Sequence, residues 1–161
     1  MHVWFSYVAG HDIIQETATE DTDYEYSTWK SVTGSKSFVF QVKTGQNANI
    51  ILSNKLQDIT SVFEIVIGLD SDDKIVMRKS INGVNDQVMS QPNVISPDEY
   101  RTFWISWSKG DQISIGLGHT TGVSELLSMP EIDTTKIEAV AVTSGRLSKG
   151  TWRMTHFGGM L

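Results

Sequence analysis

The chain has 161 residues, 39% hydrophobic and 20% charged, which is enough apolar surface for one domain with a single core and too much for a disordered chain. A formal charge of −6 without any Lys/Arg cluster argues against a phosphate-tracking surface, and so against nucleic acid or an anionic membrane as partner. The absence of cysteine removes disulfides, thiolate catalysis and Cys-based zinc sites.

In chain order, residues 3–8 read as the first strand. His11, Asp12, Glu16 and Glu20 stand where a secretory leader needs an apolar run, and no apolar run approaches a membrane span. The expectation is a mature secreted protein to which Met1 was added on expression, with a cytoplasmic protein as the alternative. Residues 16–25 hold Glu16, Glu20, Asp21, Asp23 and Glu25 in a Thr-rich setting and read as a solvated loop leading to Trp29. Phe38, Phe40 and Val42 then alternate with Val39, Gln41 and Lys43, the period of a strand with one buried face. Phe63, Ile65 and Ile67 alternate with Val62, Glu64 and Val66 in the same way. Further strands are expected at residues 48–53, 73–79, 100–108, 111–117, 136–143 and 151–157. Helical candidates are few: residues 123–129, and a single turn at 97–101 with Ser96 as its cap. The segments between strands are rich in turn formers, such as Asn82-Gly83 and Lys109-Gly110-Asp111.

Short strands spaced by turns specify an all-β fold, an antiparallel, jelly-roll-like β-sandwich of about ten strands with at most one or two helical turns. The whole chain, 1–161, forms one domain. Within it, residues 103–117 form a hairpin about Lys109-Gly110. Phe103, Ile105 and Trp107 should face the core opposite Ile113, Ile115 and Leu117, with Trp104, Ser106, Gln112 and Ser114 on the other face. Gly116 and Gly118 read as packing glycines that let a backbone or an aromatic ring approach.

Three kinds of site can be asked of such a fold. Asp70, Asp72 and Asp73 form the densest acidic turn, and loop oxygens of this kind suit calcium, a hard cation that takes six to eight oxygen ligands. Sugar recognition combines an aromatic face with amide, carboxylate or guanidinium groups on loops. Five tryptophans, at 4, 29, 104, 107 and 152, exceed what a core needs, so Trp104 and Trp152 are candidate sugar platforms, with packing in the sandwich core as the other reading for each. Arg78, Asn82, His119 and Arg146 are the candidate hydrogen-bonding groups beside them. The four histidines show no metal-ligand spacing, and no nucleophile-elbow motif selects a catalytic serine.

The ordered blocks Tyr24-Glu-Tyr-Ser-Thr-Trp29, Lys36-Ser-Phe-Val-Phe-Gln-Val-Lys43, Ala48-Asn-Ile-Ile-Leu-Ser53, Phe63-Glu-Ile-Val-Ile-Gly68, Tyr100-Arg-Thr-Phe-Trp-Ile-Ser-Trp107 and Ile113-Ser-Ile-Gly-Leu-Gly118 carry a family resemblance. Together with Thr143-Ser-Gly145 and Gly150-Thr-Trp152, they resemble the domain named for farnesoic acid O-methyltransferase, over roughly residues 24–155. Between the last two blocks, where that family usually carries a tryptophan and small residues, this chain has Arg146-Leu-Ser-Lys149. The resemblance implies a β-rich module of invertebrate proteins, often extracellular, and its name implies methyl transfer from S-adenosylmethionine.

Methyl transfer on the doubly wound fold needs a glycine turn between a strand and a helix, inside repeated strand–helix units. Residues 119–122, His-Thr-Thr-Gly, start no helix after Gly118, and no such units follow. The expectation is therefore a non-enzymatic, lectin-like module that binds a glycan or small sugar, assisted by calcium, and gains avidity as a homodimer. A protein-interaction module is the alternative, and an S-adenosylmethionine-dependent enzyme comes third.

Overall fold

The computed structural model describes residues 3–4, 15–19, 26, 28–144 and 150–159. The described strands are, in chain order, β1 (Val3–Trp4), β2 (Gln15–Thr19), β3 (Thr28–Ser31), β4 (Ser35–Thr44), β5 (Ala48–Ser53) and β6 (Val62–Gly68). After one helical turn, α1 (Leu69–Asp72), come β7 (Lys74–Arg78), β8 (Gln87–Ser90) and β9 (Arg101–Ser106). The series closes with β10 (Ile113–Leu117), β11 (Glu125–Met129), β12 (Ala139–Ser144) and β13 (Gly150–Gly159).

They form a seven-stranded sheet, β1-β2-β13-β4-β9-β10-β11, and a six-stranded sheet, β3-β12-β5-β6-β7-β8. Every pairing between described strands is antiparallel. The expected antiparallel sandwich is the fold observed. Its core follows from the period of two. Phe38, Phe40 and Val42 of β4, Phe103 and Ile105 of β9, and Trp152 and Met154 of β13 face Ile50 and Leu52 of β5, Ile65 and Ile67 of β6, and Val140 and Val142 of β12.

Several local expectations are corrected. Residues 123–129 do not form a helix: Glu125–Met129 is β11, paired with β10, and Leu126 and Leu127 pack on the core. A helix this short gains little against its nucleation cost, whereas the strand has a ready ladder partner. Residues 97–101 form no helix either. Ser96 Oγ accepts bonds from the amides of Asp98 at 3.1 Å and Glu99 at 3.2 Å, but the chain then runs straight into β9. The helical turn is α1, entered from Gly68 at φ 88°. The loop expected at 16–25 begins as strand, since Glu16 to Thr19 lie in β2 and pair with β13; residues 20–25 lie outside the described residues, as do residues 5–8 of the expected first strand. Leu117, expected in the core, is 37% exposed, at the end of β10 beyond a register shift after Ile115.

The two glycines of the hairpin have different reasons to be glycine. Gly116 pairs with Trp104 across the ladder, and the indole lies flat over it, so that an added Cβ would fall inside the ring's van der Waals envelope. Gly118 has open space where a Cβ would be, but sits at φ +92°. Gly116→Ala should therefore destabilise the protein by about 3 kcal/mol through overpacking, and Gly118→Ala by about 1 kcal/mol through backbone strain. Urea unfolding followed by tryptophan fluorescence checks the order; equal effects would contradict it.

Candidate functional site

The alternation that turns Phe103 and Ile105 inward turns Trp104 and Ser106 outward, and across the ladder Ser114 and Gly116 share that outer face. Here the loop of residues 118–124 folds back over the sheet. Gly118 donates its amide to Thr102 O at 3.0 Å, Leu117 donates to Ser124 O at 3.0 Å, and the Trp104 indole donates to Val123 O at 2.7 Å. Trp104 is thereby buried to 1% exposure, with its polar atom satisfied. The indole N–H groups of Trp107 and Trp152 find no such partner among the described residues.

Between this loop and the turn at 107–112 lies a groove of about 220 Å³. Ser106 and Ser114 form its floor with the edge of Trp104, while Lys109 and Gln112 flank one side and Thr121 and Glu125 the other. The hydroxyls are already ordered: Gln112 Nε2 donates to Ser114 Oγ at 2.9 Å, and Ser106 Oγ lies 3.0 Å from Ser108 Oγ. The lining can thus donate and accept several hydrogen bonds along about 15 Å of ladder. Among the described residues it holds one carboxylate, Glu125, and no imidazole. Neither the carboxylate pair of a glycosidase nor a Ser–His pair is assembled there.

The residues singled out in the sequence are not brought together as one site. Trp152 is fully buried, its ring 5.7 Å from Phe40, and so has no face free for a sugar. His119 is exposed on the folded-back loop but does not line the groove, and Arg146 lies outside the described residues. Asp70 is ion-paired with Lys74 at 2.9 Å, and the side chain of Asp72 lies outside the described residues. No cluster of three His, Asp or Glu side chains able to hold a metal is found among the described residues.

Arg78 and Asn82 do meet, around a buried carboxylate. Glu64 is 1% exposed on the outer face of the six-stranded sheet. Its Oε1 accepts from Arg78 Nη1 at 2.9 Å and from the Asn82 amide at 3.1 Å, and its Oε2 accepts from the Tyr26 hydroxyl at 2.6 Å. Arg78 Nε also donates to Asn85 Oδ1 at 2.7 Å. With its fork occupied, Arg78 works as the counter-ion that makes burying Glu64 tolerable. Tyr26, Trp29 and Ile81 pack beside it on Ile51, Val62 and Ala141, a second small core that closes this face.

Ser108, Lys109, Thr121, Gly122 and Glu125 also line the groove, and no sequence pattern marks them as site residues. Only the fold-back of residues 118–124 brings Thr121 to the face of β10, and no sequence pattern announces that. Gln112, Ser106 and Ser114 were legible from alternation alone.

A family model described as farnesoic acid O-methyl transferase matches residues 20–157. No curated protein sequence matches the chain. Among solved structures, a prokaryotic β-1,3-1,4-glucanase (lichenase) from a mouse hindgut metagenome superposes with TM-score 0.57 at 7% identity, covering 91% of this chain and 80% of that one. The β-glucanase of Bacillus licheniformis gives TM-score 0.54 at 10% identity, covering 94% and 79%. The exo-inulinase of Aspergillus awamori gives 0.56 at 12% identity, covering 91% of this chain but 29% of the enzyme. At such identities the likeness is one of fold.

The Glu64 cluster generates two expectations. Arg78→Met should cost about 3–5 kcal/mol by leaving a buried carboxylate without its counter-ion. Burial, and then the neighbouring Glu64 charge, push the Tyr26 hydroxyl well above its ordinary value. A raised folded-state value means the neutral phenol is favoured on folding, so this stability is complete below about pH 10 and is lost as pH rises above it. Urea melts from pH 7 to 11 should show a decline in the wild type that Tyr26→Phe makes shallower; identical slopes would refute the assignment.

Proposed function

The chain belongs to the farnesoic acid O-methyl transferase family, and from that premise we propose that it is a non-enzymatic, lectin-like module binding a neutral oligosaccharide along the outer face of β9 and β10. The observation that carries this reading is the groove itself, a row of ordered hydroxyl and amide groups with a single carboxylate in its lining among the described residues. Polyhydroxylated ligands carry donors and acceptors that such a row can pair with. The names of the two glucanases, most of whose chains superpose on this sandwich, support the ligand class. The antiparallel pairing of both sheets weighs against methyl transfer of the doubly wound type, because its cofactor turn sits between a parallel strand and a helix.

Affinity follows from the groove's size. Three or four net hydrogen bonds at about 1 kcal/mol each correspond to a dissociation constant of roughly 1–6 mM at best, before the entropy cost of association. A module this weak gains useful avidity by presenting several copies, which is the physical case for a homodimer. Asp70 and Asp73 do not line the groove, so the proposed binding invokes no calcium there.

Calorimetric titration with β-1,3-1,4-gluco-oligosaccharides, the probe suggested by the two glucanases, should give saturable heat in the millimolar range that EDTA leaves unchanged. Gln112→Ala should weaken it about five- to tenfold, the equivalent of one hydrogen bond and the lost ordering of Ser114, without altering the melting temperature. S-adenosylmethionine should give no heat. Heat with S-adenosylmethionine, or sugar binding indifferent to Gln112, would overturn the reading.

A further inference from the structure

At the sandwich end that carries the 107–112 turn lies a second recess, of about 290 Å³. The segment leading to β12 is fastened beside that turn: Ile132 donates its amide to Asp111 O at 3.1 Å, and Thr134 Oγ1 donates to Gly110 O at 2.6 Å. This brings Lys136 to the end of β6 and β7, where it lines the recess with Lys79. Both lysines are exposed, and neither is ion-paired among the described residues. Asn54 and Ser61 add an amide and a hydroxyl that have no side-chain partner among the described residues, and buried Val62 and half-buried Phe63 complete the lining.

The carboxylate in this lining, Asp133, is engaged with its own turn. Its Oδ1 accepts from the Thr135 amide at 3.0 Å and from the Thr135 hydroxyl at 2.5 Å, which holds its carboxyl below the usual range. It does neutralise part of the lysine charge, but the recess keeps an excess of one positive charge on a chain whose net charge is −6. Two ammonium groups beside an amide, a hydroxyl and an aromatic side chain make a recess whose chemistry suits an oxyanion carried on a compact, partly apolar ring.

We propose that this recess binds an anionic sugar unit, a hexose bearing a carboxylate or a sulfate ester, with the oxyanion between Lys79 and Lys136 and the ring against Phe63. The site is separate from the groove on β9 and β10 and does not require that groove to bind anything. A carboxylate and a sulfate offer the same negatively charged oxygens to the lysines, and differ in geometry.

The test is amide chemical-shift mapping of the full chain with glucuronic acid, glucose 6-sulfate and glucose, at low and at physiological salt. Glucuronic acid, glucose 6-sulfate or both should shift the amides of Ser61, Lys79 and Lys136 saturably, at least tenfold more tightly than glucose does. Added salt should weaken the effect, as screening over about 8 Å demands. The better of the two anions identifies the substituent. The double variant Lys79→Ala/Lys136→Ala should lose about tenfold in affinity for the anions at an unchanged melting temperature, leaving shifts at Gln112 and Ser114 as they were. Equal binding of glucose, absence of shifts at these three amides, or anion binding untouched by the double variant overturns the proposal. Gln112 and Ser114 report the groove independently, so either site can fail alone.

Discussion

The ring of Phe40 lies 5.5 Å from Phe103 on β9 and 5.7 Å from Trp152 on β13, and Phe38 sits 5.5 Å along the same strand. These contacts lock three neighbouring strands of the seven-stranded sheet in register on the inner face. The constraint behind them is the period of two: a slip of one residue would turn Phe38, Phe40 and Val42 to solvent at a cost of about 1.5–3 kcal/mol for each side chain. Everything on the outer face is the complement of that packing. Ser106 points outward because Ile105 points inward, and Ser114 does so because Ile113 and Ile115 do not.

That constraint also decides what the sequence could disclose. Strands with apolar residues at every second position, such as β4, β6 and β9, declare themselves. The short strands β2, β8 and β11 carry no such alternation, because they are defined by the ladder beside them; β8, for instance, buries little of Gln87–Ser90. Glu64 alternates with Phe63 and Ile65 as a solvent-facing residue should, yet it is buried, since Tyr26, Trp29 and Ile81 roof that face from distant positions. The tryptophan count misled for a related reason. Trp107 and Trp152 fill volume between the sheets, and Trp104 is packed under a loop that pattern reading leaves free.

Gly116 connects fold and site. Without a side chain there, the indole of Trp104 lies down on the sheet, and residues 118–124 can close over it through Val123. The wall of the groove is thus a consequence of one small residue opposite one large one. The ring that alternation offered as a sugar platform instead holds the wall in place, and the serines, Gln112 and Glu125 line the groove alongside it. The resemblance noted in the sequence and the family match agree on the module, while its chemistry is set by these outward positions.

The proposed function puts a neutral oligosaccharide on the outer face of β9 and β10. A crystal structure of the protein soaked with a β-1,3-1,4-gluco-tetrasaccharide tests it most directly. Sugar density is expected within hydrogen-bond distance of Gln112, Ser114 and Glu125, with Trp104 unmoved beneath the 118–124 loop. Density elsewhere on the protein with this groove empty, or a sugar stacked on a Trp104 ring released from the loop, would contradict it.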